Sequence, residues 1–341
     1  MNHTLAQIKP VKTIEGATPD SIPADVFLSD VPVILKGLVT DWPMVQAAKH
    51  SKQAAMDYLL QFDSGMDIAT GEIDSKYQGR LFYNDDFSGF NFTGKRNKLS
   101  TFFTQLANAE PTIEKTGYYL GSTHINKLLP GFNEHNDIAA LNEQSPLASI
   151  WISNQTQVAA HHDVPSNIAC CVAGKRRFTL FPPEQVENLY IGPLDFTPAG
   201  QAISLVDLHH PDLDKFPKFE QALASAQVAE LDAGDALFIP SMWWHHVAGL
   251  TDFNVLVNYS WQQNNVHMGA PMDAMFHALL NIKDLPKSQK QAWRAMFEHY
   301  VFNDDINANA HIPKDKLGVL DCATDNNARR LRSLLINKLN R

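Results

Sequence analysis

The sequence predicts a mainly β protein with flanking helices, and three observations carry that reading. From residue 116 to about 261, short runs rich in Val, Ile, Phe and Trp recur. Gly and Pro punctuate the runs, at Gly174, Pro182-Pro183, Gly234 and Pro240. From Pro271 onward the apolar spacing turns helical. Many short strands closed by such turns favour a sandwich or barrel, the jelly-roll type included.

Taken in order, residues 23–114 mix short helical and strand patterns. Residues 31–37 read as a strand ended by Gly37, Asp41-Trp42-Pro43 as a turn into a helix, and residues 51–62 as a helix with Ala54, Ala55, Tyr58 and Leu59 near helical spacing. Within the β zone the expected strands are 148–152, 167–172, 178–181, 202–206, 236–239 and 254–259. In the tail, Met275, Leu279 and Ile282 share one helix face, Trp293, Met296, Phe297 and Tyr300 another, and Leu331, Leu334, Leu335 and Leu339 a third, with Pro286 between the first two. The expected division is an N-terminal α/β region at 1–115, a β core at 116–265 and a C-terminal helical region at 266–341.

Composition narrows the function classes. The 341 residues are 44% hydrophobic, enough to build a large core, so most of the chain is expected to be ordered. Against 28 Lys and Arg stand 37 Asp and Glu, a net charge of −9. Such a chain repels phosphate backbones and anionic membranes, which makes generic nucleic-acid binding an unfavoured expectation. Cys170 and Cys171 are adjacent and Cys322 is remote, so neither a disulfide framework nor a CxxC knuckle is present, and a cytoplasmic protein is expected. No run approaches the length of a membrane span and residues 1–18 carry no signal-peptide core.

Chemistry concentrates at two places. In Ala160-His161-His162-Asp163, side chains two apart on a strand share a side, so His161 and Asp163 can converge while His162 turns away. Further on, Gly234-Asp235 makes a turn, an apolar run ending at Pro240 makes a buried strand, and Trp243-Trp244-His245-His246 follows. A barrel that sets the two strands side by side completes two His and one carboxylate, leaving three positions open on an octahedral iron. Each segment alone also fits a plain surface strand or a hydrogen-bonded core His; together they reinforce one another. Spacing does not choose between His245 and His246, and His209-His210 before Pro211 reads as loop. Gly174-Lys175-Arg176-Arg177 places three cations at the start of a strand, and an Arg suits bidentate capture of a carboxylate.

These segments, in this order, resemble the cupin-like JmjC-type Fe(II)- and 2-oxoglutarate-dependent oxygenases, in the bacterial branch related to the asparaginyl hydroxylase of hypoxia-inducible factor. The likeness rests on Pro32-Val33-Ile34-Leu35-Lys36-Gly37 with Asp41-Trp42-Pro43, on the His161-His162-Asp163 strand, on Gly174 through Pro183, on Gly234-Asp235 through His246, on Val257-Asn258-Tyr259, and on Ala292-Trp293 with residues 297–302. The resemblance implies a double-stranded β-helix core, His161, Asp163 and His245 as catalytic iron ligands, and Asn167, Asn258 and Tyr119 near the cosubstrate. The family commonly has Lys two after the Gly; here Arg176 stands there, with Lys175 as the alternative one residue away. Where some members supply a hydroxyl, this chain has Val158.

What the resemblance implies is an Fe(II) enzyme that uses O2 and the cosubstrate 2-oxoglutarate, yields succinate and CO2, and hydroxylates protein side chains, with RNA or a small molecule as the substrates of other members and the acidic balance lowering the RNA option. A homodimer through the C-terminal helices is implied with it. Two other readings use the same ligands: a non-catalytic metal-binding JmjC-like module, and a zinc hydrolase. Residues 80–92, rich in aromatic side chains, are a candidate wall of a substrate cleft.

Overall fold

The computed structural model describes residues 8–109, 116–262, 268–305, 308–321 and 324–340, so Cys322 and the first seven residues lie outside the described residues. The chain divides into two compact units, residues 1–262 and 263–341.

In the first unit the strands run in chain order β1 Lys9–Pro10, β2 Lys12–Ile14, β3 Val33–Leu35, β4 Ile68–Ile73, β5 Arg80–Leu81, β6 Phe92–Asn97, β7 Gly117–His124 and β8 Leu147–Ser153. They continue as β9 Gln157–His162, β10 Ser166–Ala173, β11 Lys175–Phe181, β12 Gln227–Asp232, β13 Ala236–Ile239, β14 Trp244–Gly249 and β15 Asn254–Trp261. Helices α1 Ala24–Phe27, α2 Pro43–His50, α3 Lys52–Leu60, α4 Leu99–Asn108, α5 Ile125–Leu128 and α6 Phe219–Ser225 flank them. A six-stranded sheet has the order β1-β12-β11-β14-β9-β5 and a nine-stranded sheet the order β2-β3-β13-β10-β15-β8-β7-β4-β6. Both sheets are mixed, mostly antiparallel with parallel pairs at β1–β12, β2–β3 and β5–β9. The expected mainly β, jelly-roll class is the architecture found.

Alternation along the strands builds three layers. Phe178, Leu180, Leu231 and Val247 of the smaller sheet meet Ala169, Cys171, Leu237 and Leu256 of the larger one in the inner apolar layer. The other face of the larger sheet buries Ile150, Ile168, Val255 and Val257 against Met44, Met56, Leu59 and Phe102 of α2, α3 and α4. Outside the smaller sheet, Ala160, Phe181 and Trp244 pack on Leu189, Leu208 and Phe219.

Asp235 shows how the Gly-Asp turn locks this frame. Buried at 3% exposure, its carboxylate accepts from Lys36 Nζ at 2.7 Å, from the Gly37 N–H at 2.9 Å and from the Asp232 N–H at 3.0 Å. It therefore clamps β3 to the turn entering β13. Asp235→Ala strands two backbone donors and takes from Lys36 its nearest carboxylate, and is expected to lower unfolding stability by about 2–4 kcal/mol. Urea denaturation midpoints measure this; a loss under about 0.5 kcal/mol, the range of ordinary surface changes, would contradict it.

One expected strand does not form. Residues 202–206 make only an isolated bridge between Ser204 and Ile191. Ser204 spends its N–H on Ala160 O at 2.7 Å and its hydroxyl on Leu189 O at 2.6 Å, so the segment crosses over β9 instead of extending a ladder.

The second unit holds α7 Pro271–Ile282, α8 Lys287–Tyr300 and α9 Asp325–Leu339. Pro271 begins α7 and Pro286 caps α8, as the fixed proline φ favours. No residue of α7 or α8 is buried, and Leu280, Trp293, Met296 and Tyr300 are all exposed.

Candidate metal centre

The site begins with a defect in pairing. On β14 and β9, His245 lies opposite His161 and Trp244 opposite His162, yet Val247 lies opposite Val158. Two residues of β9, Ala159 and Ala160, thus oppose the single His246. Such a bulge re-aims the side chains beyond it. Here both alanines turn outward, into the outer layers. His161 consequently shares the inner face with His245, and the ring centroids stand 4.3 Å apart.

Asp163 follows β9 directly. Its loop is tied to the loop before β14, because the Met242 N–H donates to Asp163 O at 2.9 Å and Ser241 Oγ to Val164 O at 2.5 Å. Asp163 Oδ2 lies 3.8 Å from His245 Nε2. One ligand atom from each of His161, Asp163 and His245 falls within 4.8 Å of the others.

Hydrogen bonds set the tautomers. His161 Nδ1 lies 2.9 Å from Ala159 O and His245 Nδ1 3.0 Å from Trp243 O. A carbonyl only accepts, so each Nδ1 carries the proton and each Nε2 keeps its lone pair for a cation. Burial, reinforced by the neighbouring His161, pushes the His245 pKa down to about 4 against the opposing pull of Asp163. His245 is therefore a neutral, ligand-ready imidazole at pH 7. Two imidazoles and one carboxylate on one side of a point suit a divalent metal with open positions.

The pleat also decides between the adjacent histidines. His246 pairs with Thr179 on the opposite face, 5% exposed, its ring 5.6 Å from that of His209. Burial holds its pKa down at about 3. His162 likewise faces outward, edge-on to Trp244 at 4.5 Å.

Arg176 lies deeper along the same face. On β11, Leu180 sits opposite His245 and Arg176 opposite Gly249. Residues 176, 178 and 180 alternate onto one side, so Arg176 stands roughly 13 Å along the strand from the His245 level. Its side chain is 4% exposed, and its Nε and Nη2 are buried without a hydrogen-bond partner. Burial lowers its pKa, opposed by the Cys171 thiol and the Tyr119 phenol, and no ion pair to it is found among the described residues. A buried guanidinium without a counter-ion is costly, and an incoming carboxylate removes the deficit.

The remaining candidates divide cleanly. Burial holds the Tyr119 phenol above its ordinary range, with Arg176 opposing and Asp163 adding, so it senses both ends of the interior. Asn167 is 7% exposed with an unpartnered Oδ1. Asn258 accepts from Trp151 Nε1 at 2.8 Å, which leaves its amide NH2 free to donate. Lys175 is not brought to this interior. It is exposed on the other face and pairs with Asp232 at 2.8 Å, while Arg177 pairs with Glu230 at 2.6 Å. Val158 packs against the inner apolar layer.

Two supporting residues escaped the sequence reading. Trp151 orients Asn258 from a neighbouring strand, a role that no local motif signals. Asn254, fully buried, accepts from the Lys175 N–H and donates to Asn154 O and Thr251 O, fixing the turn from which Arg176 enters. Gly174 in that turn has φ +73, and a Cβ there would meet Phe253 O at 2.3 Å. Only the glycine was legible.

Residues 19–267 match the family described as Cupin-like domain. The chain is 26% identical over 275 residues to tRNA wybutosine-synthesizing protein 5 of Gallus gallus, covering 74% of this chain and 77% of that protein. It is 26% identical over 296 residues to Lysine-specific demethylase JMJ31 of Arabidopsis thaliana, covering 78% and 52%. HSPB1-associated protein 1 of Bos taurus is 23% identical over 266 residues, covering 73% and 52%. The chain thus spans about half the length of the last two.

Proposed function

The chain belongs to the cupin-like domain family, and from that premise we propose that it is an Fe(II)- and 2-oxoglutarate-dependent oxygenase that hydroxylates protein side chains. The kinship with a JmjC demethylase supports an oxygenase-type enzyme. The observation that carries the finer reading is the buried, unpartnered Arg176 on the same interior face as His161, Asp163 and His245.

Fe(II) with 2-oxoglutarate and O2, when bound, supplies the oxidation, coupled to decarboxylation to succinate and CO2. The chain supplies the rest. His161, Asp163 and His245 would hold the metal through two Nε2 lone pairs and a carboxylate. Arg176 would take the distal carboxylate of the dicarboxylate in its fork, and Tyr119, Asn167 and Asn258 would offer it polar groups. Phe178, Leu180 and Leu256 keep the interior apolar. A zinc hydrolase needs no buried cation beyond its ligand set, so Arg176 favours the oxygenase. The relative concerned with tRNA supports an RNA nucleoside as a second substrate reading; the net charge of −9 opposes it.

The test is Fe(II)-dependent conversion of 2-oxoglutarate to succinate under air, followed by NMR. Succinate formed in proportion to enzyme supports the reading. Stoichiometric Fe(II) binding without succinate, in the presence and absence of peptide mixtures, would contradict it.

The exposed apolar faces of α7 and α8 support a homodimer through the C-terminal helices. Size-exclusion chromatography with light scattering is expected to give a dimer mass, and Trp293→Glu with Met296→Glu to return a monomer. A monomer for the unaltered chain would contradict the dimer.

A further inference from the structure

We propose that a cavity of about 390 Å3 at the β5 edge of the six-stranded sheet, lined in part by Lys76, Arg80, Phe82, Asp85 and Asp207, binds a single carboxylate side chain of a peptide substrate. What the bound group is for rests on the oxygenase reading; the binding itself does not.

The place follows from topology. β5 pairs in parallel with β9, Arg80 opposite Gln157 and Leu81 opposite Val158. The chain leaving β5 therefore runs in the direction of His161, and Tyr83 packs on Ala159 of the bulge. A substrate residue held here lies beside the strand that carries the first metal ligand, outside the ligand cluster itself.

The ligand class follows from which groups are already satisfied. Tyr77 and Phe82 carry the chain's own cations on their faces: Lys76 Nζ is 4.7 Å from the first ring centroid and the Arg80 guanidinium 3.7 Å from the second. Asp207 accepts from the His209 N–H at 2.9 Å and the His210 N–H at 3.3 Å. Both of these aromatic faces and one oxygen of Asp207 are thus occupied.

Donor capacity is what remains. Arg80 Nη2 reaches Leu205 O only at 3.4 Å, and Nη1 stands 3.7 Å from Asp207 Oδ2, beyond hydrogen-bond length. Its side chain is only 21% exposed, so water replaces few of the missing bonds. A short carboxylate entering the cavity completes the fork, with the Lys76 ammonium beside it. Asp85 and Asp207 already offset part of the charge of Lys76 and Arg80, so the cavity suits one added carboxylate and not a phosphate backbone, whose charges follow on every residue.

The experiment uses the full chain without iron or cosubstrate, with arginine Nε–Hε signals followed by NMR. The probes are a capped Ala-Ala-Glu-Ala-Ala peptide, its Gln counterpart and a uridine trinucleotide. The Glu peptide is expected to move the Arg80 signal saturably, the Gln peptide to bind about tenfold more weakly, and Arg80→Gln to lose the discrimination. Lys76→Gln, at an exposed side chain, is expected to weaken Glu-peptide binding with the fold unchanged, and carries the test if Arg80→Gln does not fold. No saturable shift, equal binding of both peptides, or tighter binding of the trinucleotide would overturn the proposal. Arg80→Gln should still bind Fe(II) and 2-oxoglutarate, so failure of the oxygenase reading leaves peptide binding intact, and failure here leaves cosubstrate binding intact.

Discussion

Asp163→Ala is expected to abolish Fe(II)-dependent turnover of 2-oxoglutarate while leaving the fold unchanged. Loss of a group that merely hydrogen-bonds a metal ligand already costs about 10–100-fold in affinity or activity, and removal of a ligand exceeds that. Asp163 is the only carboxylate in the cluster, so its loss leaves two imidazoles to hold a dication. The fold tolerates the change because the side chain is 35% exposed and faces the neutral His245 imidazole at 3.8 Å. Metal retention after gel filtration, succinate formation and a thermal melt together check this. Turnover at the unaltered rate would contradict the assignment of the three ligands.

Arg176→Ala should raise the 2-oxoglutarate requirement by about 100-fold, as expected for a charge-assisted pair. The melting temperature separates this from a structural role. Guanidinium atoms Nε and Nη2 make no hydrogen bond among the described residues, and removal of a buried, uncompensated charge offsets the cavity left behind. The expected outcome is a large rise in KM for 2-oxoglutarate with little change in Tm. Arg176→Lys keeps a cation and is expected to recover part of the affinity. An unchanged requirement in the Ala variant would remove Arg176 from the account.

Much of the fold and part of the site were legible in the sequence. The β zone, its Gly and Pro punctuation and the tail helices declare themselves through period and turn residues. His161 and Asp163 are two apart beside an apolar run, and the strand after Gly234-Asp235 ends in His245. What period alone does not carry is register. The choice between His245 and His246 depends on how β14 pairs with β11, and the outward turn of both Ala159 and Ala160 on a bulge that exists only once β9 and β14 pair. Residues 202–206, apolar enough for a strand, instead lend Ser204 to the O of Ala160, one of the two bulge residues.

The three cations at 175–177 pose the same problem, and here a usable signal lay further along the chain. Asp232 and Glu230 stand opposite Lys175 and Arg177, while Leu231 stands opposite Arg176. An Asp and a Glu flanking a Leu on the partner strand mark the outer cations as paired and leave the middle one to the interior.

The most direct test of the central claim is anaerobic. Fe(II) and then 2-oxoglutarate are added to the metal-free protein, and the visible charge-transfer band of the chelate is followed. The band is predicted for the unaltered chain, absent in Asp163→Ala, and present in Arg176→Ala only at much higher 2-oxoglutarate. Stoichiometric Fe(II) binding with no band at saturating 2-oxoglutarate would contradict the account.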